Sequence, residues 1–439
     1  GGLPAAAAWT AAITALCACW WVLEPIPIPA TSIIPFAALP LAGVLTDAQV
    51  ATAYGHRMII LLMGGFILST AMARNQAHRR LAQLMLTLVG GKSPRRVVLG
   101  FMLATAVCSM WISNTATTLM LLPVALAVLD QPGAEELSAP LLLGMAYSAS
   151  IGGLGTPIGT PPNVIFMGVY REAMDGREVA FLDWMKVGLP AVLVLLPVAW
   201  LWLTRRLGKG RELKVPTLGP WRSPEVRVLI MFCITAVAWM TRTAPWGGWR
   251  ALFDMPGAGD STVALVAVVL MFLVPGGEGE PLLDWETASQ IPWGILLLFG
   301  GGIAIARAFQ ASGLSTALGQ LLSGMAAWPL SLTTLLLCLA VTFLTEVTSN
   351  TATTTLLMPI LAAAGKAASM EPALFMVPAA LSASCAFMLP VATAPNAVVF
   401  GTGRISVKQM ASEGFAINIM GALLLTAWCV FILPRVFGV

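Results

Sequence analysis

Along this chain apolar runs of about 20 residues alternate with short polar loops, and that is the length a helix needs to cross the hydrocarbon of a bilayer. The runs predict membrane segments near residues 5–23, 30–45, 57–74, 141–170, 187–204, 225–243, 262–275, 291–311, 373–400 and 411–434. Two further runs, 97–129 and 329–364, carry a polar step at their midpoints: Trp111-Ile112-Ser113-Asn114-Thr115-Ala116-Thr117-Thr118 and Val347-Thr348-Ser349-Asn350-Thr351-Ala352-Thr353-Thr354. The copies lie 236 positions apart, and each leads into a leucine and methionine run ending in proline, Pro123 and Pro359. Such a step, doubled at one offset, is the pattern of two structural repeats with a binding site between them. A lone Ser-Asn-Thr in a membrane helix is more simply a back-bonded hydroxyl cluster or a packing contact, and duplication reverses that preference. Pro123 and Pro359 are read as kinks or packing residues.

A second paired motif follows each run. Residues 151–163 read Ile-Gly-Gly-Leu-Gly-Thr-Pro-Ile-Gly-Thr-Pro-Pro-Asn, and residues 389–396 read Leu-Pro-Val-Ala-Thr-Ala-Pro-Asn. Proline removes a donor and clashes with the preceding turn, so two spans are expected to break near Gly159-Thr160-Pro161 and Ala392-Thr393-Ala394. Broken ends near the midplane serve two charges. Helix N-termini suit a carboxylate, while C-terminal ends and unwound carbonyls suit Na+. Ser, Asn and Thr are good caps whose side chains serve either ion.

Lys and Arg mark the cytoplasmic side. The loop 74–96 holds Arg74, Arg79, Arg80, Lys92, Arg95 and Arg96, and the loop 205–227 holds Arg205, Arg206, Lys209, Arg211, Lys214, Arg222 and Arg227. They share a side only if the run 97–129 enters and leaves by one face, as a re-entrant hairpin with Ser113-Asn114-Thr115 at its tip. Irregular backbone at that depth has to be packed in protein or line a cavity. Arg404 and Lys408 fall inside if 329–364 is a second hairpin entering from outside, so the repeats are expected to be inverted. The loop 276–290 dissents, with Glu278, Glu280, Asp284 and Glu286 and no basic residue, although acidic residues weigh little in this rule. The same count puts Gly1 outside and predicts a further helix upstream. Segments 78–91 (Leu81, Leu84, Met85, Leu88) and 314–327 (Leu314, Leu318, Leu321, Leu322, Met325) have helical apolar spacing suited to the membrane interface. Gly64-Gly65 and Gly300-Gly301 recur at the common offset, as close helix packing requires.

Composition fixes the setting. Hydrophobic residues make up 58% of the 439 and charged ones 10%, far below the soluble norm of about 25%. The +4 net charge sits at helix ends and implies no nucleic-acid partner. Cys17, Cys19, Cys108, Cys233, Cys338, Cys385 and Cys429 lie in apolar segments without metal-site spacing and are read as packing residues. His56 and His78 sit at segment ends with no ligand set nearby, so a metalloenzyme or hydrolase is disfavoured. Arg307 is a candidate substrate cation, but its place near the outer end favours snorkelling. Glu346 is a candidate proton or cation site. Its counterpart by offset is Met110, which makes it a modulator of one half only. Trp20, Trp21, Trp246 and Trp249 are read as interfacial anchors.

With these motifs in place, the chain resembles the divalent anion:sodium symporter family over essentially its whole length. The resemblance implies an all-α polytopic membrane protein of the bacterial cytoplasmic membrane, a homodimer in lipid with an elevator-type scaffold and transport part in each protomer. The expected division is 1–91 scaffold and interfacial helix, 92–186 transport part, 187–327 scaffold and second interfacial helix, 328–410 transport part, and 411–439 last scaffold helix. It implies one Na+ site at Ser109, Ser113, Asn114 and the Gly159 carbonyl, and a second at Thr345, Ser349, Asn350 and the Ala392 carbonyl. Ser109 and Thr345 share the offset of 236. Substrate would meet Ser113, Asn114, Thr115, Thr160, Ser349, Asn350, Thr351 and Thr393. Where the family commonly has two prolines after the second threonine, this chain has Ala394 before Pro395. The implied activity is Na+-coupled symport of C4-dicarboxylates such as succinate, malate or fumarate, with Na+ as coupling ion and no other cofactor. A Na+-independent dicarboxylate or citrate exchanger, a sulfate transporter and an anion channel remain as alternatives.

Overall fold

The computed structural model describes residues 4–89, 93–208, 219–245, 247–277, 279–322 and 328–438. Gly1, Lys92, Lys209, Arg211, Lys214, Trp246, Glu278 and Met325, used above, lie outside them. Among the described residues six helices are long and apolar enough to cross a membrane: Ala5–Leu23, Asp47–Arg74, Phe181–Thr204, Ser223–Met240, Trp293–Ala311 and Val407–Phe437. On Ser223–Met240 the side chains of Val226, Ile230, Ile234 and Val237 are 38–57% exposed along one face. An apolar stripe turned outward is what lipid, rather than water, accommodates. The chain is a multi-pass membrane protein.

The remaining expected segments are shorter or divided. The run 30–45 forms two short helices, Ile28–Thr31 and Ile34–Leu41, and 262–275 forms the 14-residue Asp260–Leu273. The latter rises about 21 Å, less than the roughly 30 Å hydrocarbon thickness. An all-helical fold is corrected at one point: Pro275–Gly277 pairs antiparallel with Glu280–Pro281, where Gly277 (φ 141°) and Gly279 (φ 88°) make the turn.

Both hairpins form. Pro94–Ser109 and Asn114–Leu129, 16 residues each, join through residues 110–113, and Leu330–Leu344 and Asn350–Ala367 join through residues 345–349. Pro123 and Pro359 lie within the second arms. Both following spans are broken. Ser138–Gly153 unwinds before Pro161–Ala173, and Ala373–Ala383 unwinds before Ala394–Phe400. Helices Phe181–Thr204 and Val407–Phe437 pack on each other and on these hairpin and broken-helix elements.

Ion pairs tie the basic loops to one face. Arg80 donates to Glu225 at 2.8 Å and to the Gly219 carbonyl at 2.6 Å, and Arg205 grips Glu413 at 2.8 and 3.0 Å. Arg95, where the first hairpin begins, donates to the Leu207 carbonyl at 3.2 Å, while Asp130, where it ends, pairs with Arg404. The dissenting acidic loop belongs here too, since Glu280 and Asp284 both pair with Arg74. Its carboxylates are counter-ions of a basic face, which accounts for acidic residues in a loop that the sequence reading kept on that side.

A second network includes Glu172, at the end of the first broken helix. Arg307 holds it at 2.9 and 3.0 Å, and His56 Nε2 lies 3.4 Å away. Arg307 is therefore engaged by Glu172 and not free for substrate. Trp21 is not an interfacial anchor: it is 2% exposed and donates to Ser32 Oγ. Helix Ala77–Val89 leaves Leu84 and Leu88 exposed and packs its Ala82 and Leu86 side inward against Pro94–Ser109. Five cysteines are buried and free, whereas Cys19 and Cys233 are exposed and so are not core packing.

Candidate functional site

The polar step caps each hairpin's second arm. Helices start at Asn114 and Asn350, and the preceding serines accept from the amides of Ala116 (3.3 Å) and Ala352 (3.4 Å). Ser113 and Ser349 thus satisfy one free N–H and leave the others of the first turn open. The N-terminus of Pro161–Ala173 offers fewer donors, because Pro161 and Pro162 occupy its first positions.

The two unwound loops share one internal structure. The Asn163 amide donates to the carbonyls of Gly153 (2.9 Å) and Thr156 (2.8 Å), and the Asn396 amide donates to those of Ala386 (3.1 Å) and Leu389 (3.0 Å). The spacings, ten and seven residues back, are the same in both. A turn follows in each, from Gly159 N to Thr156 O at 3.3 Å and from Ala392 N to Leu389 O at 3.2 Å. Each loop thereby holds the carbonyl region expected to bind a cation. These asparagines were quoted within the motifs but not read as staples.

In the first half the expected ligands converge. The Asn114 carboxamide, with its nitrogen toward the surrounding acceptors, reaches Ser109 Oγ at 2.6 Å, the Ala149 carbonyl at 3.2 Å and the Gly159 carbonyl at 3.3 Å. Glycine at 153 and 159 permits this approach, since a Cβ on Gly153 would stand 2.9 Å from that same end of the Asn114 carboxamide. The Thr156 hydroxyl ties the loop to the Met110 carbonyl. In the second half the expected ligands satisfy local partners: Thr345 Oγ1 donates to Thr342 O at 3.0 Å, and Thr351 Oγ1 to Asn350 Oδ1 at 3.1 Å.

Exposure separates two layers. Ser113, Asn114, Thr115, Ser349, Asn350 and Thr393 are half-buried, whereas Ser109, Gly159, Thr345 and Ala392 are buried. Thr160 and Thr351 fall in the buried layer, and Thr160 Oγ1 has no hydrogen-bond partner. The halves meet by exchange. Pro161–Ala173 packs on Asn350–Ala367, and Ala394–Phe400 packs on Asn114–Leu129. Among the described residues no group of three or more His, Cys, Asp or Glu side chains could hold a metal ion. The donors present are neutral oxygens, which suit a hard monovalent cation.

Two capped hairpins meeting two broken helices inside a multi-span bundle define a membrane transporter. A family profile described as citrate transporter matches residues 18–380. The sodium-dependent dicarboxylate transporter SdcS of Staphylococcus saprophyticus is 40% identical over 453 residues, covering 98% of this chain and 86% of that protein. SdcS of Staphylococcus aureus is 40% identical over 462 residues, covering 100% and 88%. The chain belongs to the divalent anion:sodium symporter family, whose matched members are named as transporters and not enzymes. Its fold is also similar to the solved Alcanivorax borkumensis YdaH transporter (TM-score 0.62, 14% identity, 98% and 99% coverage). The Neisseria gonorrhoeae MtrF structure is comparable, with TM-score 0.63, 12% identity, and 98% and 96% coverage.

Proposed function

We propose that this protein is a Na+-coupled symporter of C4-dicarboxylates such as succinate, malate and fumarate, working in a bacterial cytoplasmic membrane. The observation that carries the reading is the convergence of the buried Ser109 and Gly159 carbonyl on Asn114, which is itself part of the half-buried polar layer. Ser109, Asn114 and the Gly159 carbonyl, with Ser113, form the first cation site, and Thr345, Ser349, Asn350 and the Ala392 carbonyl form the second. The half-buried layer, with Thr160 and Thr351, takes the substrate's carboxylates, aided by the helix starts at Asn114 and Asn350. Neither polar step nor unwound loop contains Lys or Arg, so a dianion there needs cations for balance. Coupling follows from that electrostatic need. The names of the staphylococcal relatives support the same ion and substrate class.

On this reading the two halves are inverted repeats, the face of Arg74, Arg95 and Arg205 is cytoplasmic, and the protein is a homodimer. The hairpins and broken helices, together with Phe181–Thr204 and Val407–Phe437, move as one part against the remaining helices in an elevator. Topology is tested by single cysteines, after the native thiols are replaced: Ser93→Cys is expected to react with impermeant reagent only from the cytoplasm, and Ser331→Cys only from outside. Labelling of both from one side would remove the inverted arrangement.

Coupling is tested by calorimetry of succinate binding across a Na+ titration, with choline holding ionic strength constant. Affinity is expected to rise with Na+, and Na+ affinity to rise by the same factor with succinate. A flat response with retained succinate binding would leave the Na+-independent exchanger as the reading. Malate, fumarate, citrate and sulfate in the same format define the anion preference.

A further inference from the structure

We propose that Glu346 is a positioning residue that makes the two cation sites unequal, anchoring the unwound loop of the second broken helix and lending the second site a fixed negative charge that the first lacks. This rests on the cation sites proposed above. Glu346 is 3% exposed, in the tip of the second hairpin next to Thr345. Its Oε1 accepts from the backbone amides of Phe387 (2.7 Å) and Met388 (2.9 Å), and its Oε2 from those of Met388 (3.1 Å) and Leu389 (3.0 Å). Asn418, on helix Val407–Phe437, donates to Oε1 at 2.7 Å. Each of these bonds is donated to Glu346, the pattern of an ionised carboxylate, which only accepts. Three successive N–H groups aimed at one anion form a nest, and such charge-assisted bonds are stronger than neutral ones.

The bonds reach the cation site through one residue. Leu389, held by Glu346, supplies the carbonyl that accepts from both Ala392 N and the Asn396 amide. Moving Leu389 therefore moves the Ala392 carbonyl. In the first half the corresponding link between tip and loop is the neutral Thr156 hydroxyl to the Met110 carbonyl. Met110 matches Glu346 at the offset of 236, and Thr156 matches Leu389 by its place seven residues before the stapling asparagine. The same mechanical task is done without charge in one half and with a buried anion in the other. An anion beside a desolvated site favours a cation there, so the second site holds Na+ more tightly than the first.

The test uses full-length Glu346→Gln in proteoliposomes beside the parent protein. Glutamine keeps the size but turns an NH2 group toward loop amides that need an acceptor. The half-saturating Na+ concentration for succinate uptake is expected to rise roughly ten-fold, with raised Na+ recovering much of the lost rate, and Na+ binding to substrate-free protein is expected to weaken by a similar factor. Glu346→Asp, which keeps the charge, should recover part of the affinity. Asn418→Ala, which removes one donor, should shift half-saturating Na+ in the same direction by less. Folded Glu346→Gln with the parent's Na+ dependence would overturn the proposal. If Glu346→Gln does not fold, Asn418→Ala decides, and an unchanged half-saturating Na+ there overturns it equally. A parent protein whose uptake ignores Na+ would instead remove the symport reading itself.

Discussion

Asn114→Ala is expected to lower Na+-driven succinate uptake about 100-fold or more at equal reconstitution, a loss near 3 kcal/mol by the usual tenfold per 1.4 kcal/mol. The Asn114 carboxamide contacts Ser109 Oγ, the Ala149 carbonyl and the Gly159 carbonyl, so it joins hairpin tip, helix and unwound loop at one point. It also opens the helix whose N-terminus faces the polar layer. Alanine removes a group assigned to both cation and substrate, while Ser109 Oγ keeps its bond to the Ala149 carbonyl at 2.6 Å. The fold should survive, because Ser113 still caps the helix. Asn350→Ala should give a comparable loss of transport with less structural disturbance, since the Asn350 amide oxygen bonds the adjacent Thr351. Uptake by either variant near the parent rate would remove the site assignment.

Gly159→Ala is expected to be as damaging by another route. A Cβ there would stand 2.5 Å from the Gly153 carbonyl oxygen and 3.0 Å from its carbonyl carbon and Cα, all backbone atoms that cannot rotate away. The two ends of the broken helix would be forced apart around the Asn114 cluster. Overpacking of this kind costs about 1–3 kcal/mol, and the displaced carbonyl should remove most Na+-dependent uptake. Gly257→Ala, with open space around its position, is the control. Thermal unfolding with uptake on the same preparations checks the prediction, and unimpaired uptake by folded Gly159→Ala would exclude Gly159 as a cation ligand.

The hairpins were legible because their signals are local: a polar step between apolar arms, repeated at one offset, with Arg95 and Arg96 just before the run 97–129. The second break was only half legible. Its tip was read at Ala392-Thr393-Ala394, but the chain leaves the helix by Ser384, through Cys385, Ala386, Phe387, Met388 and Leu389, which have no helix breaker until Pro390. What holds that stretch open is Glu346, 41 to 43 residues away, and Asn396. Long-range bonds also decided Arg307, whose partner Glu172 lies 135 positions off, and the acidic loop, whose Glu280 answers Arg74 206 positions away. The equal spacings of the two stapling asparagines were on the page. Only the fold gave those spacings a meaning.

Glycine also sets the texture of a boundary. Gly65 on Asp47–Arg74 meets Ile158 of the first unwound loop, Gly168 of the first broken helix meets Phe299, and Gly302 on Trp293–Ala311 meets Thr355 of the second hairpin. Side-chain ridges locked into grooves would act as gear teeth, each step requiring a repacking. In the elevator proposed above, bare backbone at these three crossings would work as a plain bearing, and the friction between the moving part and its frame, and with it the pace of transport, would be set by residues that touch neither ion nor substrate.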